Sequence, residues 1–205
     1  MSAPPIKAVF FDIGNVLLRF DVADIFDKLS RYLGRDRLQI ARRLGDPRRI
    51  AALERGEVST ADLYRIFREE LGFKGRFARF RTLWCDHFTL QRHTSEMLKK
   101  VARRMPTYLL SNTHALHYDF ICENYAFPRH VHGAVLSHEL GMRKPEARIF
   151  AAALRMAKVK QPAQALFIDD LERNVRAARR AGLQAILYRG SEDLHRRLKA
   201  LGVLR

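Results

Sequence analysis

The chain has 205 residues, enough to bury a sizeable core without disulfide or metal cross-links and to form one domain with a substantial insertion. Its 38 Lys and Arg residues outnumber 22 Asp and Glu residues and give a net charge of +16, which could attract nucleic acid or an anionic membrane. The basic residues, however, are scattered as pairs along predicted helices, with no long tract and no recognisable nucleic-acid-binding motif. We therefore expect a solvated basic surface that favours small anionic metabolites and has no specific nucleic-acid partner.

The cysteine content and the hydropathy pattern favour a cytoplasmic protein. Cys85 and Cys122 are too few for a disulfide framework and are typical of a reducing compartment, although one disulfide between them is compatible with the count. The longest apolar run, Ile149–Leu154, is too short to cross a bilayer. Residues 1–7 lack the apolar stretch of a signal peptide. We expect no membrane partner, and the sequence leaves the oligomeric state unknown.

Five short apolar runs, most of them separated by amphipathic helical patterns, predict an α/β fold. In chain order they are Ala8–Asp12, Thr107–Ser111, Ala134–Ser137, Ala165–Asp169 and Gln184–Tyr188. Runs that are apolar at every position indicate strands that have helices on both faces, as in parallel sheets. We predict a Rossmann-like parallel sheet core with helices on both faces.

A long helical insertion is predicted between the first two strands, because about ninety residues separate them whereas the later strands follow at the length of a βα unit. A capping box at Ser59–Asp62 is followed by apolar residues at helical spacing, namely Leu63, Ile66, Phe67 and Leu71. The sequence predicts a core domain of residues 1–20 and 92–205 and an all-helical cap domain of residues 21–91.

Two further expectations concern this insertion. Its hinges are predicted near Leu18–Asp21 and Gln91–Ser95. Four aromatic residues at helical spacing are expected in the core of the cap domain rather than on a base-stacking surface. They are Phe77, Phe80, Trp84 and Phe88.

Polar residues follow four of the predicted strands, where parallel α/β sheets bind their ligands. They are Asp12-Ile13-Gly14-Asn15, Ser111-Asn112-Thr113, Gly141-Met142-Arg143-Lys144-Pro145-Glu146 and Asp169-Asp170. Taken singly, each has an ordinary explanation as a turn, a helix cap or a solvated loop. Together, carboxylates, a hydroxyl with an amide, and a lysine predict an oxygen-ligand site for a hard cation beside a phosphate-binding cradle.

The order of these motifs resembles that of the haloacid dehalogenase-like (HAD) superfamily of phosphohydrolases over nearly the whole chain. Residues 9–17 resemble its first motif, residues 109–113 the second, Lys144-Pro145 the third, and residues 167–170 with Asn174 the fourth. Residues 137–150 and the Asp-x-Gly-Asn-Val form of the first motif are most similar to the bacterial α-D-glucose-1-phosphate phosphatase subgroup. The position of the insertion matches that of a C1-type helical cap.

The resemblance implies a Mg²⁺-dependent phosphatase that works through an aspartyl-phosphate on Asp12. It implies Mg²⁺ ligands from Asp12, the Gly14 carbonyl and the fourth motif, with Asp170 ahead of Asp169. Lys144 would neutralise Asp12 and a phosphate oxygen. Hydrogen bonds from Ser111 and the Asn112 backbone would hold the phosphoryl group, and Asn174 would support the fourth motif.

Gly14 departs from the pattern of most phosphatases in this superfamily, which have a second aspartate two residues after the nucleophile. That aspartate protonates the leaving oxygen and then activates water. Glycine has no side chain to do so. The sequence leaves four proton donors open, namely a bound water, a cap residue, a histidine such as His114, and the substrate.

The other histidine patterns are weaker signals. His114 and His117, and His130 and His132, have spacings used by metal ligands. No cysteine or acidic residue accompanies them in a zinc-site pattern, so we expect packed or solvated histidines.

The leading functional hypothesis is hydrolysis of a small phosphorylated metabolite, with sugar phosphates favoured by the subgroup resemblance. The alternatives are a nucleotide or FMN phosphatase with the same mechanism, or a catalytically weak phosphate-binding regulatory protein. A 2-haloacid dehalogenase also uses a strand-one aspartate but needs no Mg²⁺, which the Asp169-Asp170 pair argues against.

Overall fold

The computed structural model describes residues 4–204, in which seven strands and eleven α-helices are found. The strands are β1 (Ala8–Phe11), β2 (Leu18–Arg19), β3 (Thr89–Leu90), β4 (Thr107–Ser111), β5 (Ala134–Leu136), β6 (Ala165–Asp169) and β7 (Gln184–Leu187). The helices are α1 (Val22–Leu33), α2 (Arg37–Leu44), α3 (Pro47–Glu54), α4 (Thr60–Glu69), α5 (Phe77–Cys85), α6 (Arg92–Ala102), α7 (Ala115–Asn124), α8 (Ser137–Leu140), α9 (Ala147–Met156), α10 (Glu172–Arg180) and α11 (Ser191–Ala200).

The predicted parallel sheet is confirmed. Its strands lie in the order β5-β4-β1-β6-β7, and every neighbouring pair is parallel. Each of the five strands begins at its predicted first residue and ends at its predicted last residue or one residue before it. From β1 the chain proceeds through β4 to β5 on one side and then crosses to β6 and β7 on the other side. The strand order therefore reverses at β1, and such sheets bind ligands at the carboxyl ends of the strands at that point.

Both faces of the sheet are covered, as the continuous apolar runs predict. In β1, Val9 and Phe11 pack into an apolar cluster with Leu109 and Ile168. Phe10 points to the opposite face and packs in a second cluster. All four residues of β1 are buried, so the strand that leads into Asp12 is packed on both faces.

Helices α1–α5 lie between β2 and β3, and we call residues 22–85 the helical insertion. The predicted capping box is present at Ser59 and Asp62. The insertion has an apolar cluster of its own, which includes Phe67, Phe80 and Trp84. Two of the four aromatic residues expected in this cluster are not part of it.

Phe77 and Phe88 correct the expectation for these aromatic residues. Phe77 is 42% exposed at the first turn of α5, and Phe88 packs against the cluster on one face of the sheet. Helical spacing placed both in the insertion core, but Phe88 follows the end of α5, where that spacing no longer applies.

A short antiparallel ribbon joins the insertion to the sheet. Leu18 of β2 pairs with Leu90 of β3, and the Gln91 N–H donates to the Leu17 carbonyl at 2.9 Å. The second predicted hinge, Gln91–Ser95, coincides with the start of α6, where Ser95 is buried. Strands of two residues are too short for a period-two pattern, so the sequence did not reveal the ribbon.

Cys85 and Cys122 are both free thiols. Of the helices within residues 4–204, none has the length and apolar character needed to span a membrane.

Candidate active site

The central position of β1 brings the predicted site residues together. The strands β4 and β6 lie on either side of β1, and all three run in the same direction. Ser111, at the end of β4, and Asp169, at the end of β6, therefore flank Asp12 at one edge of the sheet. The loop before α9 adds Lys144 at the same place.

Asp12 is almost completely buried, with 6% of its surface exposed. Its Oδ1 accepts hydrogen bonds from the Ile13 N–H at 2.7 Å and from the Lys144 ammonium at 2.8 Å. Burial raises the pKa of Asp12 to about 7, with further upward contributions from Asp169 and Asp170 and an opposing one from Lys144. The protein thus holds a carboxylate where its charge is poorly compensated.

Lys144 lies at the centre of the site and is 1% exposed. Its Nζ donates to Asp12 Oδ1 at 2.8 Å, Asp169 Oδ2 at 2.7 Å and the Leu110 carbonyl at 2.9 Å. Burial alone lowers the pKa of Lys144, but Asp12 and Asp169 outweigh that effect and the net shift is upward. The ammonium therefore stays charged and orients both carboxylates.

The Asn112 side chain fixes the backbone at Lys144. Its Oδ1 accepts from the Lys144 N–H at 2.8 Å and its Nδ2 donates to the Lys144 carbonyl at 3.0 Å. The sequence predicts that the Asn112 backbone contacts phosphate, and nothing in it indicates these two side-chain hydrogen bonds. They connect the end of β4 to the loop that carries Lys144.

The two aspartates after β6 have different surroundings. Asp169 is fully buried and accepts from Lys144, from the Leu171 N–H at 2.8 Å and from Asn174 Nδ2 at 3.0 and 3.1 Å. Asp170 is less enclosed, and burial raises the pKa of its carboxyl. Asn174 thus holds Asp169, whose hydrogen-bonding capacity is largely used.

Asp12, Asp169 and Asp170 each place one carboxylate oxygen within 4.8 Å of the others. One buried lysine cannot compensate three carboxylates, and Asp169 and Asp170 add to the rise that burial causes in the pKa of Asp12. Three hard oxygen donors with uncompensated charge suit a divalent cation such as Mg²⁺.

The loop after Asp12 turns sharply at Asn15, whose φ of 52° lies in the left-handed region that asparagine tolerates. Asn15 Oδ1 accepts from the Phe20 N–H at 3.3 Å. A Cβ atom at Gly14 would lie 3.0 Å from Phe20 Cε1. Phe20, which sequence reasoning missed, therefore fills the space beside Gly14.

A cavity of about 180 Å³ lies between the strand ends and the helical insertion. Gly14, Ser111 and Asn112 line it from the sheet side. The opposite wall is mostly apolar and includes Ile25, Ile50, Leu53 and Trp84. A ligand held by the strand ends would therefore have its organic part against the insertion.

Three histidines line the same cavity, namely His87, His114 and His117. Burial lowers the pKa of His87 to about 3 and that of His117 to about 4. Burial also lowers the pKa of His114 well below its ordinary value. The three imidazoles are therefore neutral at pH 7 and none is a cationic acid. The Nε2 atom of His114 accepts a hydrogen bond from Trp84 Nε1 at 3.0 Å.

These shifts predict an acid-sensitive fold. A histidine with a lowered pKa in the folded state binds fewer protons there than in the unfolded state. Its contribution to the free energy of unfolding is therefore fully present above pH 6.5 and is lost as the pH falls towards 4. Between pH 8 and pH 5, wild type should lose about 1 to 2 kcal/mol more unfolding free energy than His117→Gln. Urea unfolding of both proteins at the two pH values measures the difference. Equal losses in the two proteins would show that His117 has no such role.

The structure thus brings together all eight residues predicted for the site. Asp12, Lys144 and Asp169 are joined directly, Asn112 and Asn174 hold two of these three, and Asp170 completes the acidic group. Gly14 and Ser111 face the cavity. Glu54, at the end of α3, also lines the cavity and was not predicted as a site residue. Its local sequence is that of an ordinary glutamate on a surface helix.

Comparison with known proteins matches residues 6–182 to the sequence model of the haloacid dehalogenase-like hydrolase family. A stretch of 59 residues is 39% identical to glyceraldehyde 3-phosphate phosphatase from Methanopyrus kandleri. That match covers 28% of this chain and spans only a quarter of the length of the curated phosphatase.

Solved structures match along nearly the whole chain. A HAD family enzyme from Bacteroides thetaiotaomicron, solved as a magnesium complex, is 25% identical with a TM-score of 0.82 and covers 96% of this chain and 100% of that one. The same enzyme solved with magnesium and inorganic phosphate is 24% identical, with a TM-score of 0.78 over 90% of this chain and 95% of that chain. A HAD-like family hydrolase from Porphyromonas gingivalis is 21% identical, with a TM-score of 0.80 over 97% of this chain and 98% of that one.

Proposed function

Since the chain belongs to the haloacid dehalogenase-like hydrolase family, we propose that it is a Mg²⁺-dependent phosphatase acting on a small phosphorylated metabolite through an aspartyl-phosphate on Asp12. The observation that carries this proposal is the buried contact of Asp12 with Lys144 beside two further aspartates. The relative that was solved with magnesium and inorganic phosphate supports the same chemistry.

In the proposed reaction, an Asp12 carboxylate oxygen attacks phosphorus, and the bond from phosphorus to the leaving oxygen breaks. Water then hydrolyses the aspartyl-phosphate and releases phosphate. Lys144 keeps Asp12 oriented and compensates charge on the phosphoryl oxygens, while Ser111 and the Asn112 backbone donate hydrogen bonds to them. These donors act in a site closed to most water, where their effect is large.

We propose that Asp12, the Gly14 carbonyl and Asp170 hold the Mg²⁺, with Asp169 as a second candidate from the same pair. Asp169 already accepts hydrogen bonds from Lys144, Leu171 and Asn174, which favours Asp170 as the direct ligand. When bound, the ion supplies positive charge that keeps the attacking carboxylate ionised and stabilises the charge of the transferring phosphoryl group.

We propose that residues 21–91 act as a C1-type cap that encloses the substrate. The insertion forms the apolar wall of the cavity, and the short ribbon of β2 and β3 joins it to the core. A cavity of about 180 Å³ is below the roughly 300–1,000 Å³ of pockets for larger ligands, which favours a small metabolite over a nucleotide or FMN. Sugar phosphates, favoured by the resemblance to the glucose-1-phosphate phosphatase subgroup, are the first class to test.

Phosphate release from a panel of sugar phosphates, triose phosphates, nucleotides and FMN tests the proposal. We expect turnover with Mg²⁺ and a loss of at least about 100-fold after chelation with EDTA, because removal of the ion leaves three carboxylates, two of them buried, facing an anionic substrate. Added Mg²⁺ should restore the rate. Binding of phosphate esters with no release under any metal condition would favour the regulatory-protein alternative.

A further inference from the structure

The departure at Gly14 leaves the proposed reaction without a proton donor at the usual position. A substituted side chain there would meet the Phe20 ring, since a Cβ atom would lie 3.0 Å from Phe20 Cε1. The space of the missing carboxylate is thus filled by an aromatic ring that has no acidic proton. The donor has to reach the leaving oxygen from another wall of the cavity.

Glu54, the last residue of α3, is the one carboxylate among the residues that line this cavity. It lines the cavity together with Gly14, Ser111 and Asn112 and is the part of the helical insertion that brings a carboxyl group to it. Its side chain is 20% exposed, and its Oε2 lies 2.7 Å from Arg143 Nη2. Arg143 directly precedes Lys144, so Glu54 is tied to the loop that carries the central ammonium.

The end of α3 is held firmly against the core. Gly56 has a φ of 72°, and a Cβ atom there would lie 2.3 Å from the His138 carbonyl oxygen, so only glycine permits this approach. Arg55 pairs with Glu146 at 2.6 Å on the other side of the same loop. These contacts fix the backbone next to Glu54 and limit the positions that its carboxyl group can reach.

We propose that Glu54 takes the place of the missing aspartate as proton donor and acceptor, an inference that rests on the phosphatase function proposed above. As Asp12 attacks phosphorus, the bond to the leaving oxygen breaks and the Glu54 proton passes to that oxygen, releasing an alcohol. The resulting carboxylate, stabilised by Arg143, then takes a proton from the water that attacks the aspartyl-phosphate. Phosphate leaves, and Glu54 is protonated again.

The electrostatic surroundings support this assignment. Burial raises the pKa of Glu54, against the lowering effects of Arg143, Lys144, Arg173 and Arg55, the charged groups that face it. The histidines of the cavity are neutral because burial lowers the pKa of each. A neutral imidazole is a weak acid, which leaves the carboxyl of Glu54 as the better donor.

Glu54→Gln tests the inference through the leaving group, with single-turnover rates for a series of aryl phosphates. Phenyl phosphate needs a proton on its leaving oxygen, so its rate should fall by about 10²- to 10⁴-fold in the variant. The leaving group of 2,4-dinitrophenyl phosphate departs without a proton, and its rate should change by less than about threefold. The slope of rate against leaving-group pKa should therefore steepen.

Glu146→Gln is the matched control, because it breaks the Arg55 contact at the same interface and keeps the Glu54 carboxyl. Any loss in that variant should be equal for all esters. Glu54→Asp retains a carboxyl group on a side chain that is shorter by one methylene. Its single-turnover rates should fall only for esters with poor leaving groups. This variant keeps the test decisive if circular dichroism shows that Glu54→Gln does not fold.

An equal loss across the series in Glu54→Gln and Glu54→Asp would overturn the inference and reduce Glu54 to a structural contact of α3. An unchanged slope with full activity would overturn it as well. If wild type releases no phosphate from any ester with Mg²⁺, the proposed function itself fails, and that outcome is separate from the others.

Discussion

Replacing Asp12 with asparagine should reduce phosphate release by about 10⁴-fold or more, the scale of loss when a hydrolase loses its nucleophile. The amide is nearly the same size as the carboxylate and can still accept from Ile13 N–H and Lys144. It cannot form the acyl phosphate. The loss should therefore appear in kcat and persist at saturating substrate.

The same substitution should leave the metal-free fold at least as stable as wild type. Burial and the neighbouring Asp169 and Asp170 raise the pKa of Asp12, which means that its charge is unfavourable in the folded state without a cation. A neutral amide removes that repulsion. Thermal unfolding in EDTA measures the effect, and mass spectrometry confirms that the introduced amide has not deamidated. Full activity in intact variant protein would refute the assignment of Asp12.

Replacing Lys144 with methionine should remove activity and also destabilise the metal-free protein by about 3–5 kcal/mol, because it leaves the charges of Asp12 and Asp169 buried without a partner. The effect should be largest at a pH where Asp12 is ionised. Urea unfolding in EDTA measures the stability, and phosphate release measures the activity. Exposed Lys160→Met is the matched control and should change neither.

A double-mutant cycle separates the charge effect from the loss of packing. In Lys144→Met with Asp169→Asn, the second substitution removes one of the stranded charges and should recover part of the lost stability. Strictly additive losses would show that Lys144 and Asp169 do not stabilise each other.

The sheet and the main site follow from the sequence for a simple geometric reason. Parallel strands place their carboxyl ends on one side of the sheet, so the residues at the ends of β1, β4 and β6 lie on that side once the strands are identified, and the strand order of the structure makes them neighbours. The apolar runs identify those strands because both faces are buried. Asp12, Ser111 and Asp169 could therefore be assigned to one site without any structure.

Contacts that depend on three-dimensional packing could not be predicted. Nothing local distinguishes Glu54 from other helical glutamates, and its place in the cavity depends on how the insertion lies against the core. Phe20 beside Gly14 and the two amide contacts of Asn112 with Lys144 depend on loop paths, which periodicity does not encode. The ribbon of β2 and β3 is too short to leave a pattern.

In the proposed mechanism, Asp12 carries the phosphoryl group beside a Mg²⁺ that Asp12, the Gly14 carbonyl and Asp170 hold. A crystal structure with Mg²⁺ and beryllium fluoride, which mimics a phosphoryl group on a carboxylate, tests it most directly. We expect the fluoride adduct on an Asp12 carboxylate oxygen, with Lys144 and Ser111 against the fluorides and Mg²⁺ bound by Asp12 and Asp170. An adduct on another residue, or Mg²⁺ bound away from Asp12, would refute the proposed roles of Asp12.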